Sequence, residues 1–177
     1  MSGLTLRPAT LDDLPVLRTL MSMAIAENMK AFLSAELIQA SNKVMGLDTL
    51  LVEDGTYWIV HRNGEPAGCG GWSRRNTLYG GDHSAGRSPA LLDPAVDAAR
   101  VRAMYTHPSY VRRGIGRLIL DHCEMAAARE GFTRLQLAAT LAGAPLYRAY
   151  GFQEVERFTD HGVPLIRMEK AIILPAA

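Results

Sequence analysis

The stretch from Val101 to Phe132, VRAMYTHPSYVRRGIGRLILDHCEMAAAREGF, constrains this chain more than any other. It reads as a strand, a turn, a glycine loop and a helix. His107-Pro108-Ser109 turns the chain, because proline fixes its own φ and pushes the residue before it away from helical angles. Beyond Arg112-Arg113-Gly114-Ile115-Gly116-Arg117, the apolar residues Ile115, Leu118, Ile119, Cys123, Ala126 and Ala127 recur at helical spacing and predict one buried face. Gly131 predicts the stop. A glycine loop feeding a helix N-terminus presents free backbone N–H groups beside the positive end of the helix dipole, which suits a pyrophosphate.

Loops of this kind come in several forms. A P-loop needs G-x-x-x-x-G-K-[ST], which the chain lacks. A dinucleotide fingerprint needs a third glycine, and Gly114-x-Gly116 is followed by Leu118 and Ile119. A tight turn that uses glycine only for its backbone angles is the plainest alternative. The remaining form is R-x-G-x-G opening a helix after a strand and a proline. A second segment bears on it: Ala142-Gly143-Ala144-Pro145-Leu146-Tyr147-Arg148-Ala149-Tyr150-Gly151-Phe152, with Y-x-x-x-G-F intact from Tyr147 to Phe152.

The two segments, separated by a helix and a strand, resemble the acetyl-CoA pyrophosphate loop and the late helix of the GNAT superfamily of N-acetyltransferases. The resemblance runs from about Leu4 to Lys170. Two positions depart from the family pattern: Val111 stands where Gln or Arg is usual, with Arg112 beside it, and Ala142 stands where Asn often opens the late helix, with Thr140 two residues earlier. The resemblance implies a single α/β (α+β) domain with a mixed sheet of six to seven strands and about four helices. That sheet is splayed between the central strand and the strand after it. It also implies acetyl-CoA as co-substrate. The implied cofactor residues are Met104, Tyr105 and Thr106 on the central strand, and Val111, Arg112, Arg113, Gly114, Ile115, Gly116 and Arg117 in the loop.

Composition limits the other classes. A chain of 177 residues holds one well-cored domain, and two would be cramped. A formal net charge of +1 gives no bulk basicity for nucleic acid. Arg112, Arg113 and Arg117 fit a cofactor's phosphates, and no aromatic platform accompanies them. Cys69 and Cys123 lie in apolar patterns without metal-ligand spacing, so buried free thiols are expected. No run approaches a membrane span and no signal peptide is evident, so the cytoplasm is the default expectation.

Along the chain, Leu4 to Arg7 is a short strand, and Thr10 or Asp12 can cap a helix that buries Leu14, Leu17, Leu20 and Met21. A second helix is predicted from about Ser34 to Met45. The resemblance makes this helix pair the cover of an acceptor groove. Met21, Met23 and Met29 either line that groove or fill core. Thr56 to Arg62 reads as a strand, Asn63-Gly64 as a hairpin turn, and Glu65 to Trp72 as the returning strand. Gly68, Gly70 and Gly71 fit either a strand passing beside a ligand or simple bulging. Residues 73–98 form a long loop, read either as an acceptor-side specificity loop or as a disordered insertion. Trp72, Tyr79, Asp82 and His83 are the acceptor-binding candidates. Ala99 to Tyr105 is the central strand. Arg134 to Ala138, Glu154 to Phe158 and Pro164 to Glu169 are further strands, Ala144 to Tyr150 is the late helix, and Leu174 to Ala177 carries no signal.

The resemblance implies acetyl transfer to a primary amine of a small molecule or peptide, by direct attack in a ternary complex. Tyr147 is the implied proton donor to the departing sulfur. A strand carboxylate often serves as base in the family, and Ala99 to Thr106 contains none. His83, Asp82, His107, His61 or a water chain remain for that role. A non-catalytic acetyl-CoA-binding module is the competing reading. A homodimer is the family's habit, although no residue specifies its interface.

Overall fold

The structure, a computed structural model, describes residues 3–173; the tail from Leu174 to Ala177 lies outside them. Among these residues are seven strands: β1 (Leu4–Pro8), β2 (Tyr57–Arg62), β3 (Glu65–Ser73), β4 (Ala99–Thr106), β5 (Arg134–Thr140), β6 (Gln153–Asp160) and β7 (Val163–Ala171). Five α-helices accompany them: α1 (Leu14–Asn28), α2 (Ala35–Val44), α3 (Thr49–Glu53), α4 (Ile115–Arg129) and α5 (Ala144–Tyr150). The sheet order is β1-β2-β3-β4-β5-β7-β6. Only β4 and β5 run parallel.

The helices form where local chemistry starts them. Thr10 and Asp13 make a capping box ahead of α1, with Pro15 in its first turn. The Ser34 hydroxyl accepts from the Leu37 N–H and starts α2. The sequence pattern missed α3, which is too short to show a period; the Asp48 carboxylate caps it at the Leu50 N–H. Asn63 and Gly64, with φ of 49° and 85°, make the β2–β3 turn that their sequence predicts.

Two cores lie on opposite faces of the sheet. On one face, α4 and α5 bury Ile115, Ile119, Leu120, Cys123 and Tyr147 against Val101, Leu135, Leu137 and Met168. On the other, α1 and α3 bury Leu17, Leu20, Met21 and Leu51 against Tyr57, Ile59 and Cys69. A smaller cluster joins Val44 of α2 to Val163 and Leu165 of β7 on that second face. Both cysteines are free and buried, and burial pushes the Cys69 thiol up to about 12.

The glycines of β3 serve protein packing rather than close approach to a ligand. A side chain at Gly68 would run into Ile115 of α4, one at Gly70 into Met104, and one at Gly71 into the Thr56 carbonyl. Trp72 is also a core residue, 1% exposed, edge-on to Phe132 at 5.9 Å. Its bulk is sealed from solvent, which corrects its assignment to the acceptor.

Residues 73–98 are pinned along their length rather than left as a loose insertion. Arg74 makes two 2.7 Å contacts to Glu130, and Arg75 grips Asp54 at 2.7 and 2.8 Å. Arg75 bridges Leu91, and the Thr77 hydroxyl donates to the Ser88 carbonyl. Tyr79 donates to Asp160 at 2.9 Å, tying the loop to the end of β6.

Candidate active site

The split between β4 and β5 is the central feature of the site. Their ladder holds only at Ala99–Leu135 and Arg100–Gln136. Beyond Arg100, the β5-facing edge of β4 has no strand partner, and β5 continues with β7 alone. A cleft of about 1030 Å³ fills the divergence and opens on both faces of the sheet. On the α4–α5 face it is lined by the α4 loop, Thr140, Ala142, Gly143, Leu146 and Tyr147. On the α1–α3 face it meets the end of α1, Met45, Gly46 and residues 78–80.

A bulge in β4 decides which of its side chains face each half. Ala103 sits at φ 51°, and two residues of β4 oppose Gly70 of β3. Normal alternation would send Arg102 and Tyr105, three residues apart, to opposite faces. The extra residue puts both on the α1–α3 face, while Val101 and Met104 pack toward α4. The Tyr57 hydroxyl donates to the Ala103 carbonyl and the Asn28 amide to the Thr106 carbonyl, which fixes the bulge and the strand end.

The loop before α4 has the geometry expected of it. The His107 ring accepts from the Ser109 N–H and starts a turn of 3-10 helix, Pro108–Tyr110. Arg112 (φ 59°) and Gly114 (φ 84°) are both left-handed, and Gly114 caps α4. The helix therefore begins at Ile115, later than the run of Arg112 to Arg117 suggests. Helical geometry leaves the N–H groups of Ile115, Gly116 and Arg117 without intrahelical acceptors. Gly116 lies so close to α5 that a Cβ would come within 2.5 Å of Leu146 Cδ2. Val111, Arg112, Gly114, Ile115, Gly116 and Arg117 line the cleft, as do Met104, Tyr105 and Thr106. Arg113 does not; it points out into solvent.

Tyr147 stands at the slit itself. It is buried, packs edge-on to Phe152 at 5.8 Å and borders the cleft. Burial pushes its phenol well above the ordinary tyrosine range, so the hydroxyl keeps its proton. Thr140 accepts from the Gly143 N–H at 3.1 Å and shapes the turn where an Asn was expected.

The acceptor-side candidates divide. Tyr79 lines the cleft, with its hydroxyl committed to Asp160 and its phenol pushed up to about 12 by burial and that carboxylate. Asp82 and His83 do not line it. Asp82 accepts from the Thr49 N–H and hydroxyl at the start of α3, and His83 Nε2 lies 2.8 Å from the Asn42 carbonyl. His61 and His107 lie outside it as well. Of the methionines, Met29 lines the cleft, Met21 fills core and Met23 is exposed.

The sequence pattern missed Arg102 and Asp48. Arg102, 2% exposed, donates to Asp48 at 3.0 Å and to the Gly80 carbonyl at 2.7 Å, and it borders the cleft. Arg87 also reaches Asp48, at 2.6 Å. Arginines at alternate positions, Arg100 and Arg102, inside an otherwise apolar strand were the available signal.

A sheet split beside a glycine-capped helix, with a tyrosine at the slit, defines an acyltransferase architecture. An acetyltransferase (GNAT) domain model matches residues 53–154, more than half of the chain, and the chain belongs to that family. It is 28% identical over 123 residues to the uncharacterized N-acetyltransferase YsnE of Bacillus subtilis, covering 67% of this chain and 69% of that one. Two solved structures share the fold. A GCN5-related N-acetyltransferase from Rhodopseudomonas palustris aligns with TM-score 0.70 at 22% identity, over 97% of both chains. The PaiA N-acetyltransferase from Thermoplasma acidophilum, solved with coenzyme A, aligns with TM-score 0.66 at 16% identity, over 97% of this chain and 99% of that one. Among the described residues no helix is long and apolar enough to cross a membrane.

Proposed function

We propose that the chain transfers an acetyl group from acetyl-CoA to the primary amine of an acceptor, directly, within one ternary complex. The observation that carries this reading is the slit: unpaired strand edge, glycine-capped helix and protonated Tyr147 converge on one opening. Acetyl-CoA supplies an activated thioester. The residues present fit it. The first-turn N–H groups of α4, with Arg112 and Arg117, suit its pyrophosphate, and the free edge of β4 from Met104 to Thr106 suits its amide-bearing arm. A backbone N–H of that edge serves the oxygen on which charge builds. As the N–C bond forms and the C–S bond breaks, Tyr147 Oη gives its proton to the sulfur, the nitrogen loses one to water, and solvent returns a proton to the tyrosine.

Among the described residues that line the cleft there is no Asp, Glu or His. The amine's proton is therefore removed by its surroundings. Apolar walls and the Arg102 cation disfavour an ammonium and lower the bound amine's pKa. Burial pushes upward the Tyr79, Tyr105 and Tyr147 phenols and the Cys69 thiol, which also line the cleft. The rate should then rise with pH as the acceptor deprotonates, with no enzyme carboxylate or imidazole step. Profiles of kcat/KM for two acceptors whose amine pKa values differ should be offset in the same direction. A common midpoint near the ordinary histidine range would refute this account.

The cofactor site is tested by calorimetric titration with acetyl-CoA. Gly114→Val forces a β-branched residue into a left-handed position, and Gly116→Val drives into Leu146. The double variant should bind at least about tenfold more weakly while remaining folded by circular dichroism. Undiminished binding would move the pyrophosphate elsewhere. Residues 73–98 serve as an acceptor-side wall through Leu78, Tyr79 and Gly80.

A further inference from the structure

The half of the cleft on the α1–α3 face has a chemistry of its own. Its walls are Ile25, Met29, Phe32, Met45, Leu78 and the ring of Tyr79. The side-chain charge bordering it is positive: Arg102, held from behind by Asp48. Asp48 already carries a second cation, Arg87, which lies 3.8 Å from Asp82 on the outer side. No carboxylate lines this half among the described residues, and Asp160, behind Tyr79, is engaged by that hydroxyl.

Several of the hydrogen-bond acceptors around this half are also engaged. The Gly80 carbonyl accepts from Arg102, the Thr106 carbonyl from Asn28 and the Ala103 carbonyl from Tyr57. The Tyr79 hydroxyl donates to Asp160, and the Tyr105 hydroxyl accepts from the Gly46 N–H. A group with many N–H donors would leave most of them unpaired against these apolar walls, which is costly. A single amino group aimed at the slit escapes that cost because it reacts in its neutral form.

Resting on the acetyltransferase reading above, we propose that the acceptor is a primary amine with an apolar body and no second positive charge, of the arylalkylamine or branched-alkylamine class. Polyamines and aminoglycosides, which carry several ammonium groups, are excluded by the same surfaces. Phe32 sets the outer rim; it is 48% exposed, so it can be changed without opening the core.

The test uses the full chain with acetyl-CoA and follows thiol release with phenethylamine, spermidine and a short lysine peptide. Phenethylamine should exceed spermidine in kcat/KM on the order of a hundredfold. Phe32→Glu removes apolar contact and adds a carboxylate at the rim. It should lower kcat/KM for phenethylamine roughly tenfold and raise it for spermidine. Preference for spermidine or the peptide, or indifference of both amines to Phe32→Glu, would overturn the proposal and leave acetyl transfer standing. Acetyl-CoA binding by calorimetry with no amine accelerating thiol release would instead sink the transferase reading, and this inference with it.

Discussion

Asp48→Ala is expected to cost about 3–5 kcal/mol of stability, because it strands a buried guanidinium. Asp48 is 3% exposed and does three things at once: it caps α3, pairs with Arg102 and receives Arg87. Removing it leaves Arg102 among two carbonyls with no counter-charge, and burial already holds that guanidinium below its ordinary pKa. For a chain of this size the loss corresponds to a fall in Tm of about 6–20 °C. Chemical denaturation should show the midpoint falling with an unchanged slope. Combining Asp48→Leu with Arg102→Met should recover much of the loss, since apolar replacements of a buried pair are often neutral. A single variant as stable as the parent would show that the pair is solvated in practice.

The second large effect falls on turnover. Tyr147→Phe should lower kcat on the order of a hundredfold, the scale of losing one positioned proton donor. The ring stays, so its edge-on contact with Phe152 and the wall of the slit are kept. Acetyl-CoA affinity, measured by calorimetry, should be nearly unchanged. The hydroxyl is protonated throughout the working range because burial raises its pKa, so the parent should show no alkaline decline from this residue near neutral pH. Turnover that survives the substitution would assign the sulfur's proton to water.

Much of this arrangement was legible from residue order, for reasons that differ by element. The α4 loop and α5 announced themselves because glycine is required where φ is positive, at Gly114 and Gly151. The Asn63-Gly64 turn did the same for the β2–β3 hairpin. The acceptor half was much less legible. Trp72 looked like a ligand platform and proved to be core, because an aromatic residue after a glycine run reads alike in either place. Asp82 and His83 lie in a polar loop whose surface contacts hold α3 and α2, a long-range fact that no local pattern encodes. Arg102 was missed because its direction depends on the bulge at Ala103, and a bulge shifts side chains without changing composition.

The division of the site across the sheet has a consequence for how such a protein diversifies. In the proposed reading the cofactor contacts belong to α4, α5 and the unpaired edge of β4, whereas the acceptor meets the end of α1 and residues 78–80. These two sets lean on largely separate cores, one beneath α4 and the other beneath α1 and α2, and Tyr105 of β4 is the cofactor-edge residue that packs on the acceptor side. Mutations that reshape the acceptor wall therefore need not disturb the packing that holds the nucleotide arm. Selection can exchange one clientele of amines for another by editing a single face, while the opposite face is inherited unchanged.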